Sequence, residues 1–234
     1  MDVSESVAQR YLIYRGLQVT YEPDGNVTPD FLADGGIAVE VRRLNQNEVT
    51  PSGLRGIEED AIPLHMGMRT FLTSFGAPTS GPSWFVTYTV KRPLPTLKAL
   101  RKILVPYLTR FKNADGVGVE REMRVDGAIS VRLHPASDPQ TAFFVPGGGD
   151  DHDAGGFVLS EMIRNVRLCI EEKTAKTSPF RSRYSEWWLV LVDRIGFGVD
   201  AFDQRILRQE LGIHPDWDKI VLLDPYGQLP PFEL

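Results

Sequence analysis

The chain has 234 residues, 42% hydrophobic and 24% charged, with a net charge of −5 and a single cysteine. That is enough chain to bury a substantial core in one ordinary globular domain. One cysteine, Cys169, excludes a disulfide framework. The longest apolar run, Trp187 to Val192, is far too short to span a bilayer, and the acidic balance argues against a protein that coats nucleic acid. The first residues lack a basic region followed by an apolar stretch, so a soluble, cytoplasmic protein without membrane contact is expected.

Val3 to Arg15 is predicted to form an amphipathic helix carrying Glu5, and Gln18 to Glu22 a first strand. The next segment, Thr28-Pro29-Asp30-Phe31-Leu32-Ala33-Asp34-Gly35-Gly36-Ile37-Ala38-Val39-Glu40-Val41-Arg42-Arg43, reads as a tight β-hairpin. If Ala33 pairs with Ile37 around a three-residue loop, Phe31 faces Val39 and Asp30 lies opposite Glu40. Side chains alternate along a strand, so Arg42 joins Glu40 on the face opposite Val39 and Val41, and Arg43 points the other way. Two carboxylates facing each other repel unless they are protonated, paired with a cation or share a metal. Mg²⁺ is the natural candidate, because it is a hard ion that takes one or two carboxylates and completes its shell with phosphate and water. The alternative is a solvated hairpin whose acids happen to face each other. Glu58 to Phe75 then reads as a helix, and Ser83 to Val90 as the next strand.

On these residues the segment resembles the PD-(D/E)XK nuclease superfamily, the restriction-endonuclease-like fold: Pro29-Asp30 matches the first half of its motif and Glu40-Val41-Arg42 the second. The expected class is α/β, or mixed α+β. A central mixed β-sheet flanked by helices runs in the order helix-strand-strand-strand-helix-strand, followed by a C-terminal αβαβ extension. This makes one domain, with residues 1–92 as the nuclease-like core and 93–234 as an elaboration packed on the same sheet. The resemblance implies metal-dependent hydrolysis of a phosphodiester in DNA or RNA, with Asp30 and Glu40 holding Mg²⁺ or Mn²⁺ and Glu5 as a further, weaker ligand from the first helix. Arg42 stands where the family has lysine. A guanidinium stays protonated and offers bidentate donors, so Arg42 suits holding a phosphate oxygen and not proton abstraction. A catalytically inactive binding or interaction module of the same fold is the second reading. Removing Glu40 is expected to abolish cutting at little cost to folding, because the like-charge pair is relieved.

Further along, Leu94 to Phe111 reads as a helix, Ala128 to Leu133 and Ala142 to Val145 as strands, and His134 to Gln140 as a loop. The segment Gly147 to Gly156, rich in glycine and acids, reads as a mobile surface loop. Phe157 to Thr174 is predicted helical, Glu186 to Asp193 a buried strand, Ala201 to Leu211 a helix and Lys219 to Leu223 a last strand. Lys173 and Lys176 are candidates for reaching the site or nucleic acid, as is Arg43. A helix C-terminus favours lysine in any protein, so the two lysines have an ordinary explanation too. A nucleic-acid partner is expected, and a homodimer is compatible with the sequence.

Overall fold

The computed structural model describes every residue except Asn26, Ser80, Asp126, Pro139, Phe197 and Ile213. The protein is a mixed α/β chain that divides into two compact units, one made of residues 1–56 and 156–234, the other of residues 57–155.

The first unit is built on a six-stranded sheet. Helix α1 (Val3–Tyr14) opens it, and its start is set by Asp2, whose carboxylate caps the Glu5 N–H while Glu5 reaches back to the Asp2 N–H. Strands β1 (Val19–Tyr21), β2 (Phe31–Ala33) and β3 (Ile37–Leu44) follow as an antiparallel meander. The hairpin register is the expected one, Ala33 with Ile37 and Phe31 with Val39. Its turn works because Asp34 and Gly35 adopt left-handed backbone conformations, φ 45° and 73°. A small hairpin, β4 (Asn47–Thr50) and β5 (Gly53–Gly56), ends this part of the chain.

After the second unit, the chain returns as α4 (Val158–Thr177), a 3₁₀ turn (Ser178–Arg183) and β10 (Glu186–Asp193), which lies parallel to β3. Helix α5 (Ala201–Leu211) leads to β11 (Lys219–Leu223), parallel to β10, and a short β12 (Phe232–Glu233) closes the order β1-β2-β3-β10-β11-β12. The unbroken apolar run Trp187 to Val192 is explained by this position, since a central parallel strand is covered on both faces. On one face Val7, Ala8, Tyr11 and Leu12 of α1 pack on Val39, Val41, Val190 and Val192. On the other, Met162, Val166, Cys169 and Ile170 of α4 pack with Ala38, Leu44, Leu189 and Leu191, joined by Leu207 and Leu211 of α5.

The second unit holds α2 (Ile57–Thr73), β6 (Trp84–Val90), α3 (Leu97–Asn113), β7 (Glu122–Val125), β8 (Ile129–Pro135) and β9 (Phe144–Asp151). Its four strands run in the order β7-β8-β6-β9. Met68 and Leu72 of α2 and Leu100, Leu104, Leu108 and Phe111 of α3 share one core with Trp84, Val86, Ile129, Val131 and Leu133.

Three expectations are corrected here. The strand at residues 84–90 does not join the hairpin's sheet: β6 belongs to the separate four-stranded sheet, and β3 has β10 as its neighbour instead. The boundary at residue 92 therefore falls inside the second unit, and residues 93–155 do not extend the first sheet. The first half of the glycine-rich segment is not a loop either, because Phe144–Asp151 is a strand paired in parallel with β6, whereas residues 152–156 are turn and irregular chain. Its glycines allow α2 to lie close: a Cβ at Gly149 would stand 2.5 Å from the His65 ring and from Tyr88. Of the loop expected at His134–Gln140, the first two residues belong to β8 and Pro139 lies outside the described residues. Among the described residues, no helix is long and apolar enough to cross a membrane.

Candidate active site

Asp30 sits one residue before β2, and the register carried one step past Phe31–Val39 sets it across from Glu40. The Val41 N–H donates to Asp30 Oδ2 at 2.7 Å, which ties the carboxylate to the partner strand. Glu40 alternates with Val39 and Val41 and so faces α4, in line with Ala38 and Leu44. It is completely buried, at 0% exposure, whereas the Asp30 side chain keeps 19%.

The groups that neutralise this pair come from α4. Lys173 Nζ lies 2.6 Å from Glu40 Oε2 and 3.8 Å from Asp30 Oδ2, and Lys176 Nζ lies 3.2 Å from the same Glu40 oxygen. Residues three apart on a helix stand side by side, so one carboxylate receives two ammonium groups. Their settings differ: the Lys173 side chain is 9% exposed and that of Lys176 48%. Burial raises the Asp30 carboxyl above its ordinary value, with Lys173 acting against that and Glu40 with it. Burial alone would lower the Lys173 ammonium, but the Glu40 and Asp30 carboxylates overrule it and hold the group above the usual lysine range. The other Glu40 oxygen, Oε1, is buried and has no hydrogen-bond partner among the described residues.

Arg42 shares the α4-facing side of β3 with Glu40, as alternation requires, yet its guanidinium does not turn to the carboxylates. Its Nε is paired with Glu172 at 2.9 Å, and Nη2 reaches toward Asn47 Oδ1 at 3.5 Å. Glu40 is already neutralised by two lysines, and Glu172 takes the arginine. Asn47 is itself locked, its N–H donating to Asn165 Oδ1 of α4 at 2.8 Å. Arg43 is exposed on β3. Glu5 is engaged by the α1 cap and by the Tyr21 hydroxyl at 3.1 Å, and α1 packs on the sheet face opposite α4.

The structure therefore brings together Asp30, Glu40, Lys173 and Lys176, and directs Arg42, Arg43 and Glu5 elsewhere. The signal for Lys173 was present in the sequence. The buried stripe of α4 runs Met162, Asn165, Val166, Cys169, Ile170, Lys173, Thr177, so a lysine stands where helical periodicity demands a core residue. A lysine is rarely buried unless paired.

Among the described residues, no group of three or more His, Cys, Asp or Glu side chains is placed to hold a metal ion. Asp30 and Glu40 form a two-carboxylate set, and among the described residues no donor is committed to the buried Glu40 Oε1. That donor set suits a hard divalent ion whose remaining ligands are water and phosphate. No protein-family model matches the chain, and searches of curated proteins and of solved structures find no match either.

Proposed function

We propose that the protein is a metal-dependent phosphodiesterase acting on DNA or RNA, built on a restriction-endonuclease-like core of the PD-(D/E)XK kind. The observation that carries this reading is the position of Lys173 Nζ, 2.6 Å from Glu40 and 3.8 Å from Asp30. It returns to the carboxylate pair the ammonium that Arg42 does not supply. The chain path supports the same reading: helix α1, the meander β1–β3, helix α4, then β10 parallel to β3. In this view residues 57–155 enter between the third strand and the second helix of the core.

Asp30 and Glu40 would hold Mg²⁺ or Mn²⁺. Such an ion, when bound, polarises the phosphate and lowers the pKa of the attacking water. The chain's own residues do the rest. The Val41 N–H and the register of the hairpin orient Asp30. Lys173 keeps its proton through neutral pH and stabilises negative charge building on the phosphate oxygens, so its role is electrostatic and not that of a base. The Arg42–Glu172 pair fixes α4 against β3, which makes Arg42 a positioning residue.

The complete burial of Glu40 favours a second reading, an inactive binding module in which the ion pair is structural. Cleavage of mixed single- and double-stranded DNA and RNA with Mg²⁺ or Mn²⁺ separates the two. The wild type is expected to cut, Glu40→Gln and Lys173→Met to be silent, and Arg42→Lys to retain most activity. Cutting by Glu40→Gln would refute the phosphodiesterase reading, and absence of cutting by the wild type with every substrate would favour the module.

A further inference from the structure

We infer that Lys176 is an exchangeable partner of Glu40: it occupies Glu40 Oε2 in the free protein and passes to a backbone phosphate of nucleic acid when a divalent cation takes the carboxylates. The inference rests on the phosphodiesterase reading above and names what that site uses to recognise its substrate.

One carboxylate oxygen of Glu40 is crowded. Two ammonium groups share Glu40 Oε2, while Oε1 of the same carboxylate is buried with no hydrogen-bond partner among the described residues. The two lysines are not equivalent. Lys173 is buried, makes the shorter contact and has Asp30 as a second acid. Lys176 makes the longer contact, is half exposed and among the described residues has Glu40 as its only ion-pair partner. A half-exposed pair is weak and costs little to open, whereas a buried one does not let go.

Charge balance gives the exchange its direction. Two acids, Asp30 and Glu40, face two amines, Lys173 and Lys176, so the formal charges of the cluster sum to zero. A divalent cation on the carboxylates adds two positive charges and repels the ammonium groups at close range. Lys176 has a long rotatable stem and a path to solvent, so it is the group that moves. At the solvent side of the site, it meets a phosphodiester anion arriving from outside, whose single negative charge offsets that of the displaced ammonium.

Two effects of opposite sign follow from Lys176→Gln, which removes the charge and retains most of the side-chain length. Mn²⁺, followed by electron paramagnetic resonance of the free ion, is expected to bind the full-length variant about threefold more tightly than wild type, the fold-change of a half-exposed ion pair. Labelled duplex DNA and single-stranded RNA, titrated by fluorescence anisotropy with Ca²⁺ in place of Mg²⁺ over a salt series, are expected to bind more weakly. Their log–log salt slope should fall by about one. A lysine with only a structural role would not tighten one ligand and loosen the other. No Mn²⁺ binding by either protein would overturn the phosphodiesterase reading itself. Equal Mn²⁺ affinity in the two proteins would overturn the exchange alone, and tighter Mn²⁺ with unchanged salt slopes on both nucleic acids would overturn the transfer to phosphate.

Discussion

Replacing Glu40 by alanine strands a buried ammonium, and the size of the effect can be worked from the contacts. Glu40 is wholly buried and the Lys173 side chain nearly so, so solvent does not screen their 2.6 Å pair. After the substitution Lys173 retains Asp30, at 3.8 Å, and the weaker field of Glu172. Lys176 turns to water at little cost, because it is half exposed. Removing one member of a buried pair costs about 3–5 kcal/mol. At a urea slope of about 3 kcal/mol/M, the unfolding midpoint should drop by about 1–1.7 M. Tryptophan fluorescence is a suitable probe, since Trp187 and Trp188 precede Leu189, the β10 partner of Glu40. The double variant Glu40→Ala/Lys173→Met should recover most of the loss, because the stranded ammonium is then gone. This reverses the expectation from sequence, in which alanine relieved a repelling acid pair. A Glu40→Ala protein within about 0.5 kcal/mol of wild type, or a double variant weaker than the single one, would refute the reasoning.

Asp30→Asn is expected to stabilise the fold at neutral pH while abolishing cleavage. Burial holds the folded-state carboxyl above 3.8, so the ionised form that dominates at higher pH costs stability. The stability gap between variant and wild type should be widest above the raised pKa and shrink to its floor as pH falls below 3.8; urea melts across that range check the sign. Gly149→Ala would drive a methyl into His65 and Tyr88, and should cost about 1–3 kcal/mol in thermal or urea unfolding. Cys169 is buried with its thiol pushed up to about 11, so a thiol reagent at mildly alkaline pH should label the native protein only at the rate of unfolding. Rapid labelling of the folded chain would contradict its place on the buried face of α4.

The parts that sequence made legible are those governed by short-range periodicity. Alternation along Ile37–Leu44 and the Asp34-Gly35-Gly36 turn were enough to predict the hairpin register, the facing of Asp30 and Glu40, and the side on which Arg42 emerges. The apolar stripe of α4 and the all-apolar run of β10 likewise announced a core-facing helix and a covered strand. The glycines of residues 147–149 misled for a local reason: they suggest flexibility in isolation, but here they thin a strand so that α2 can approach.

The chemistry of the site lay beyond that range. By itself the sequence determined that two carboxylates meet across a hairpin, because their spacing is set by adjacent strands and a three-residue turn. Only the tertiary structure decided which cations answer them. Lys173 is 133 positions from Glu40, and its nearness depends on α4 crossing β3 after a whole separate unit has intervened. Arg42, two residues from Glu40, was the obvious partner by sequence and is drawn off by Glu172. Local periodicity sets the face on which a side chain emerges. The identity of the charge it meets there is set by long-range packing and by competition among all the charges that packing brings within reach.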